Sequence, residues 1–303
     1  MTNERLSHIP RSRRRTEWAP YAFVLPYLLL LLAFGVFPIL YALGLSFFET
    51  GGQANHFAGL ANYRKVLGDY RLGQSVLNVM SYIGLWLPAM ALGVTGLALL
   101  LHARPGRLSS ALRLVYYLPG AVSGTAAVLL WLFMLEPQIS PFGPLLRVLG
   151  FTQGYDVLAA RNLPVVFAVM AFFASAGGWI VVLYGALTSI PGEVLEAARI
   201  DGCTDMQLAT RIKLPMVSKN AVFMLVLSFA AGFQLFVEPA LVNKTTLGAV
   251  ASGDWAINQI AYSYAFTRLD FGGSSALSTL LLLVGLIVAL WLVFRTDFYR
   301  VDT

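Results

Sequence analysis

The chain has 303 residues, of which 58% are hydrophobic and only 12% are charged. A soluble domain carries about twice that share of charge, so the composition excludes one and indicates a protein embedded in a lipid bilayer. The formal net charge of +6 calls for no nucleic-acid partner, because anionic lipid headgroups account for basic residues beside a membrane.

Six apolar runs are long enough to cross a bilayer, which takes about 20 residues for a hydrocarbon core of roughly 30 Å. They predict an all-α integral membrane protein with six transmembrane helices. The predicted spans are Tyr21–Phe48, Val76–Leu101, Leu114–Leu135, Val165–Leu187, Ala221–Val242 and Ala276–Phe294. Among them only the fifth contains a formally charged residue, Glu238.

The distribution of lysine and arginine predicts how these spans are oriented. If the N-terminus is inside, the inner segments hold 14 of the 21 basic residues and the outer segments hold 7. This bias satisfies the positive-inside rule, so both termini are expected in the cytoplasm, with residues 1–20 as a basic cytoplasmic tail. The first apolar run is too long to be the core of a cleaved secretory signal, which has about 7–15 residues.

Local signals along the spans predict departures from straight, separate helices. Kinks are expected at the prolines, since bilayer helices tolerate proline where neighbours satisfy the freed carbonyls. The prolines inside the spans are Pro26, Pro38, Pro88 and Pro119. Small residues around Gly177 and Gly178 predict close helix contacts in the fourth span. In the first outer loop, apolar residues of FAGLANYRKVL recur at helical spacing and predict a short helix in the membrane interface.

A polar segment, residues 191–215, separates the fourth and fifth spans. Glu193 suits the first turn of a helix, and Gly202 offers the left-handed conformation that ends one. Thr204 and Gln207 then form a capping-box pattern that starts a second helix. A connecting loop needs only about 2–8 residues, so two capped helices predict a binding surface. The alternative is an interfacial helix that lies on the headgroups.

A spaced pattern in the 191–215 segment resembles the EAA-loop signature of the membrane subunits of bacterial ABC importers. It consists of Glu196, Ala197, Ala198, Gly202, Ile212, Leu214 and Pro215 at the spacings of that signature. The stretches FAGLANYRKVL, YYLPGAVSGTAAVLLWLF, YGALTSIPGEVLEAARIDGC and FGGSSALSTLLLLVGLIVALWLVFR also look like the carbohydrate branch of these permeases, the maltose and glycerol-phosphate type. The resemblance implies a multi-pass protein of the bacterial cell membrane with the type I (MetI-like) importer permease fold.

The resemblance also implies partners. They are a second permease subunit, two cytoplasmic ABC ATPase subunits and an extracytoplasmic solute-binding protein. In the family the EAA loop docks in a cleft of the ATPase, which would put Glu196, Ala197, Ala198 and Gly202 at the contact. Ile212, Leu214 and Pro215 would anchor the segment to the fifth helix, which Pro215 is expected to open. The outer loop 244–270 departs from relatives in lacking a glycine-proline run, which leaves its conformation open.

The energy source is expected to lie outside this chain. A P-loop needs glycine followed by lysine and Ser or Thr, and none of the four lysines follows glycine. ATP and Mg²⁺ are therefore expected on the partner ATPase, with no cofactor, catalytic residue or metal site in this chain. The alternative is an ion-coupled secondary carrier, which needs intramembrane ionisable groups. Glu238 is the one candidate, and a carboxylate at headgroup level is an equally open interpretation.

A sugar site combines aromatic faces with amide and carboxylate groups. The candidates for a substrate cavity are Trp179, Phe233, Gln234 and Glu238, and Gln234 aligns with a sugar-contacting position of maltose-type permeases. The candidates for the entrance or for contact with a binding protein are Trp255, Asn258, Tyr262 and Tyr264. For each aromatic residue, packing or a place in the interfacial aromatic belt is the alternative.

Overall fold

The structure is a computed structural model that describes residues 19–50, 56–122 and 124–295. The predicted basic tail, residues 1–20, lies almost entirely outside the described residues. Within them the regular structure is helical, with connecting loops and one short antiparallel ribbon of β1 (Phe48–Glu49) and β2 (His56–Phe57). Four helices are long and apolar enough to cross a membrane, or up to six spans if each of two bent helix pairs counts as one.

Helices are numbered in chain order, and four π-helical stretches lie within them or directly after them: Leu31–Val36, Met90–Val94, Leu208–Lys213 and Ser263–Thr267. The long helices are α1 (Ala19–Leu30, Leu31–Val36 as π-helix, Phe37–Leu45), α3 (Tyr70–Ala89, Met90–Val94 as π-helix, Thr95–Ala103), α4 (Arg107–Ala121), α5 (Gly124–Met134), α8 (Leu163–Thr188), α11 (Ser218–Gly232) and α14 (Phe271–Arg295). The shorter helices are α2 (Ala61–Leu67), α6 (Gly143–Val148), α7 (Gly154–Val157), α9 (Gly192–Ile200), α10 (Asp205–Met216), α12 (Val237–Thr245) and α13 (Ile257–Tyr262).

The first, second, fourth and sixth apolar runs are confirmed as single helices. The first helix ends at Leu45 rather than at Phe48, because Phe48 leaves the helix and pairs with Phe57 in the ribbon. The second helix starts earlier than its apolar run, at Tyr70, where the Asp69 side chain accepts a hydrogen bond from the Arg71 backbone N–H and caps the helix.

The third predicted span, Leu114–Leu135, is wrong as a continuous helix. α4 and α5 meet at an angle of 107°. The break follows Pro119 by three residues, at Val122, whose extended backbone ends α4. Gly124 then starts α5 with a φ of 61°, a conformation that glycine adopts without steric cost. The kink expected at Pro119 is therefore a sharp turn between two helices.

The fifth predicted span, Ala221–Val242, is also wrong as a continuous helix. α11 begins at Ser218, and the helix stops for the residues Phe233–Phe236 before α12 continues. Pro239 gives a physical reason, because its missing N–H would otherwise bond the carbonyl of Leu235 four residues earlier. Pro215 does not open this span: it lies inside α10, which meets α11 at an angle of 65°.

Close contact between α4 and α8 is confirmed at Gly177. A Cβ at this position would overlap the Tyr116 carbonyl oxygen and lie 2.6 Å from the Tyr117 Cα. The fit is reciprocal, because a Cβ on Gly120 of α4 would lie 2.6 Å from the Ala174 carbonyl oxygen of α8. In a bilayer such close packing replaces the hydrophobic drive between helices.

The short helix predicted in the first outer loop is confirmed as α2, but it does not simply lie in the interface. Val66 is fully buried, and the Asn62 side chain donates hydrogen bonds to the carbonyls of Ser46 and Phe48 at 3.0 and 2.8 Å. A further hydrogen bond of 2.7 Å joins the hydroxyls of Tyr63 and Ser46. The helix is therefore fixed to the end of α1.

Candidate functional site

The first helix of the 191–215 segment ends as the sequence predicts. Gly202 has a φ of 84°. The Cys203 N–H bonds the Ala198 carbonyl at 3.0 Å, and the Gly202 N–H bonds the Arg199 carbonyl at 3.1 Å. This pair of hydrogen bonds defines a Schellman motif, in which glycine takes the left-handed position after the helix. Gly202 therefore sets the turn between α9 and α10.

The capping box that starts α10 is confirmed as well. The Gln207 N–H donates to the Thr204 hydroxyl oxygen at 3.3 Å, and the Thr204 N–H donates to the Gln207 side-chain oxygen at 2.8 Å. The two bonds satisfy N–H groups that a helix start leaves free. The segment is thus two capped helices around a glycine turn, held in shape by its own local bonds.

The residues of the spaced pattern differ in their exposure. Glu196, Ala197 and Gly202 are exposed, whereas Ala198 is buried within the segment. Nearer to α11, Ile212 and Leu214 are half-buried, and Pro215 is exposed. One face of α9 and the turn are therefore open to a partner, while Ala198, Ile212 and Leu214 pack within the protein.

Two exposed apolar side chains on either side of the turn were missed by the sequence reasoning. Ile200 is 86% exposed and Met206 is 72% exposed. Both lie among charged residues, which is the signal that could have identified them, since large apolar residues on a polar surface mark interaction sites when they are grouped. Together with Glu196 and Gly202 they form the tip of the segment.

Asn258, a candidate for the entrance, has a different position in the structure. Its side-chain amide donates to the carbonyls of Phe233 and Leu235 at 2.6 and 3.4 Å. These carbonyls lie in the break between α11 and α12, where helical hydrogen bonds are interrupted. Asn258 therefore satisfies the broken backbone, which a helix interrupted at membrane depth requires.

We expect Asn258→Leu to destabilise the protein by about 1–3 kcal/mol, because the carbonyls of Phe233 and Leu235 at the helix break lose their donor. The measurement is the midpoint of thermal unfolding in mild detergent. Gln74→Leu is the matched control, since the exposed Gln74 amide donates to the Asn78 side chain at 2.9 Å and not to the break. An Asn258→Leu variant no less stable than the control would contradict this role.

The four substrate-cavity candidates differ in their surroundings. Trp179 is half-buried and packs edge-on against Phe223 at 6.1 Å, and Phe233 packs against Phe229 at 4.8 Å. Gln234 is exposed at the break, and Glu238 lies half-buried in the first turn of α12. Gln234 is thus the candidate whose side chain is open to a solute or a neighbouring subunit.

Of the remaining entrance candidates, two are packed inside the chain rather than offered to a partner. Trp255 is 4% exposed and meets Phe167 edge-on at 4.8 Å. Tyr264 is buried, and its hydroxyl donates to the Asp69 carboxylate at 2.9 Å. Tyr262 is exposed and contacts Phe236 at 5.4 Å. Tyr262 alone of these aromatics keeps the expected exposed position.

Tyr262 lines a polar cavity of about 540 Å³. The cavity lies where α3 begins, between α12 and α13. Its lining residues are Tyr70, Arg71, Phe236, Ala240, Asn243, Lys244, Gly253, Asp254, Gln259, Tyr262, Ser263 and Thr267. The charged members were not singled out from the sequence, because they come from segments distant in the chain.

Arg71, at the wall of this cavity, is held by an ion pair with Asp69. Its guanidinium nitrogens reach the two carboxylate oxygens at 2.9 and 2.7 Å. These hydrogen bonds hold the pKa of Asp69 well below its usual range. The Arg268 guanidinium lies 4.9 Å from the centre of the Tyr264 ring, and Tyr264 bonds the same carboxylate. The wall of the cavity is therefore a fixed network of charges.

The cavity and the 191–215 segment lie at opposite ends of α3. Arg71 is in the first turn of this helix, and His102, near its other end, contacts Lys213 of α10 at 3.0 Å. A helix rises 1.5 Å per residue, so the two ends are roughly 45 Å apart. The distance fits a chain with one surface on each side of a membrane.

A family model named "Binding-protein-dependent transport system inner membrane component" matches residues 67–297, more than half of the chain. The protein belongs to this family of ABC importer permeases, and it is a multi-pass membrane protein.

Similar proteins agree with this assignment. A probable ABC transporter permease of Pyrococcus horikoshii is 28% identical over 91% of this chain and 96% of its own. The sn-glycerol-3-phosphate transport system permease UgpA of Agrobacterium fabrum is 29% identical over 88% of this chain and 90% of its own.

Solved structures share the fold. A bacterial ABC transporter involved in the import of the acidic polysaccharide alginate matches with a TM-score of 0.76 at 19% identity, over 95% of this chain and 97% of that one. A second structure is the bacterial alginate transporter in complex with an alginate pentasaccharide-bound periplasmic protein. It matches with a TM-score of 0.74 at 18% identity, over 91% of this chain and 93% of that one.

Proposed function

We propose that this chain is a permease subunit of an ATP-driven, binding-protein-dependent importer for a carbohydrate or a related polyol, amino sugar or glycerol phosphate. Its family supports the importer class. The cargo class rests on relatives such as the glycerol-3-phosphate permease UgpA. A cavity lined by amide, hydroxyl and aromatic side chains suits a hydroxylated solute.

The proposed topology has six spans with both termini in the cytoplasm. Each bent helix pair, α4 with α5 and α10 with α11, then contributes one span to the four long helices. The distribution of basic residues supports this orientation. The 191–215 segment then lies in the cytoplasm, and the polar cavity opens to the outside.

The observation that carries the proposal is the exposed, self-capped 191–215 segment. Its turn presents Glu196 and Gly202 beside the exposed apolar side chains of Ile200 and Met206. An apolar centre with a polar rim is typical of a protein interface. We assign this tip to a cleft of a cytoplasmic ATPase subunit, with Ala197 and Ala198 permitting a close approach.

A second permease subunit is part of the proposal. None of the 18 residues in the apolar stretch of α1 is buried by the rest of the chain. Gln234 is exposed at the break after α11. Lipid can cover an apolar helix, but an amide at membrane depth requires a polar partner or a water-filled path. A pathway shared between two permeases would supply that environment for Gln234.

ATP and Mg²⁺ belong to the two ATPase subunits in this mechanism, and the solute arrives on an extracytoplasmic binding protein. Closure of the ATPases would move the 191–215 segment, and α8 and α11 on either side of it would follow. The cavity would then open outward, receive the solute and release it inward on reopening. This is alternating access driven by differential binding of the two states.

Uptake by intact cells tests the proposed function. Cells with and without the chain are given radiolabelled maltose, glycerol 3-phosphate, sorbitol and glucosamine in turn. We expect chain-dependent uptake of at least one probe that stops when ATP is depleted and persists when ion gradients are collapsed. Uptake that follows the ion gradient and ignores ATP would instead establish a secondary carrier.

Replacement of Glu238 separates the same two mechanisms. Glu238→Gln is expected to retain most of the ATP-driven uptake, because the carboxylate sits in the first turn of α12, where it stabilises the helix by about 0.3–1 kcal/mol. The measurement is the initial uptake rate of the probe identified above, at matched protein level. Loss of uptake by the variant would support ion coupling through this carboxylate.

A further inference from the structure

Lys213 is a buried cation at the base of the 191–215 segment. The residue is 6% exposed. Its ammonium nitrogen lies 3.0 Å from the Nδ1 atom of His102 near the end of α3. Within the described part of the chain, no carboxylate lies within ion-pair distance of this ammonium. Burying a cation is costly unless it is hydrogen-bonded. The hydrogen bond to His102 therefore holds the Lys213 ammonium in place.

The chemistry of the pair fixes the state of the histidine. A lysine ammonium donates hydrogen bonds and accepts none. His102 must therefore accept at Nδ1, which requires an imidazole with no proton on that atom. Protonation of the ring would put two positive charges 3.0 Å apart and remove the acceptor.

His102 extends the contact to two further helices. Its ring meets the Tyr184 ring of α8 edge-on, with centres 5.7 Å apart. The Arg113 guanidinium of α4 lies 3.8 Å from the centre of the Tyr184 ring, on its face, a distance suited to a cation–π interaction. A single cluster thus joins α10 to α3, α8 and α4 without passing through α11.

We propose that Lys213 and His102 are positioning residues that transmit movement of the 191–215 segment to α3, α8 and α4. The inference rests on the proposed function, since it assumes that the segment docks on an ATPase. A segment joined to the membrane helices only through its chain connections could shift while those helices stayed in place. The buried contact between Lys213 and His102 joins the segment to α3 in addition to its chain connections, so movement of the segment also moves α3.

Two variants test the contact in the complete importer. The chain is purified with its ATPases and second permease and reconstituted in liposomes. Lys213→Met removes the charge and keeps the apolar stem, and His102→Leu removes the acceptor. The readout is the stimulation of ATP hydrolysis by the binding protein. We expect each variant to lose stimulation by roughly 5-fold or more, a coupling loss of typical size, while still purifying with the ATPase.

One control changes another residue of α10, and a second experiment combines the two variants of the pair. Arg211→Met changes an exposed cation in α10, and we expect it to keep the wild-type stimulation. The double variant Lys213→Met with His102→Leu is expected to be no worse than either single variant, because interacting residues are non-additive. Independent, additive losses would overturn the pairing.

A pH profile gives a readout that a merely structural role would not change. His102→Gln keeps an acceptor but does not titrate. Stimulation of the wild type is expected to fall as the pH is lowered and His102 gains a proton, whereas His102→Gln stays level. The charged groups around the pair, Arg113, Arg199 and Asp205, are the same in the wild type and in His102→Gln.

The outcomes separate the two hypotheses. If no ATPase copurifies with the wild-type protein, the proposed function fails. If wild-type protein shows stimulation and Lys213→Met, His102→Leu and His102→Gln all behave like it, the importer stands and the positioning role is overturned.

Discussion

Gly202→Asp is expected to reduce uptake to background while the protein remains in the membrane at a normal level. Aspartate tolerates the left-handed conformation better than most residues, at a cost of about 1–2 kcal/mol, so the segment can still fold. The new carboxylate lies at the exposed turn beside Ile200 and Met206, where it would be buried by a docked ATPase. A loss of about 2 kcal/mol at an interface centre weakens binding by roughly 30-fold.

Gly192→Asp is the matched control for this change. Gly192 is also exposed in the 191–215 segment, but it starts α9, where an acidic side chain favours the helix dipole. We expect normal uptake from this variant and a loss like that of Gly202→Asp from Glu196→Lys at the tip. Normal transport by both Gly202→Asp and Glu196→Lys would contradict ATPase coupling through the tip. The measurement is the initial uptake rate, with membrane content quantified by immunoblot.

Gly177→Ala is expected to destabilise the folded protein by about 3 kcal/mol, at the upper end of overpacking effects. The added methyl group would overlap backbone atoms of Tyr116 and Tyr117, which cannot rotate away as a flexible side chain could. α4 and α8 must therefore separate. The measurement is the thermal unfolding midpoint in mild detergent, together with the yield of monodisperse protein.

Gly178→Ala, one residue along the same helix, is the control. A Cβ at Gly178 meets no atom within 4 Å, and alanine favours a helix over glycine by about 1 kcal/mol. We expect this variant to be as stable as the wild type or slightly more stable. Equal destabilisation by the two variants would contradict a specific close contact at Gly177.

Local signals explain why the 191–215 segment could be predicted well. The Schellman turn at Gly202 and the capping box of Thr204 with Gln207 depend on residues within six positions of each other. The residues that determine this turn and this cap therefore all lie within the segment. The close approach of α4 and α8 at Gly177 could also be predicted, because small residues in a membrane helix typically mark close helix contacts.

Features that depend on distant residues could not be predicted in the same way. The break in the fifth span is bonded by Asn258, more than twenty residues further along, and apolar composition alone does not reveal it. Lys213 and His102 are 111 residues apart, so their contact follows only from the packing of α10 on α3. Trp255 illustrates a third limit, because an aromatic residue looks the same in an interfacial belt and in a core.

Affinity purification of the tagged chain from its native membrane, followed by mass spectrometry, tests the central claim most directly. We expect a P-loop ATPase and a second permease in a fixed ratio with the wild type and with Gly192→Asp. The ATPase should be lost from Gly202→Asp. Recovery of the chain alone, with ion-dependent uptake intact in cells, would contradict the account and establish a secondary carrier instead.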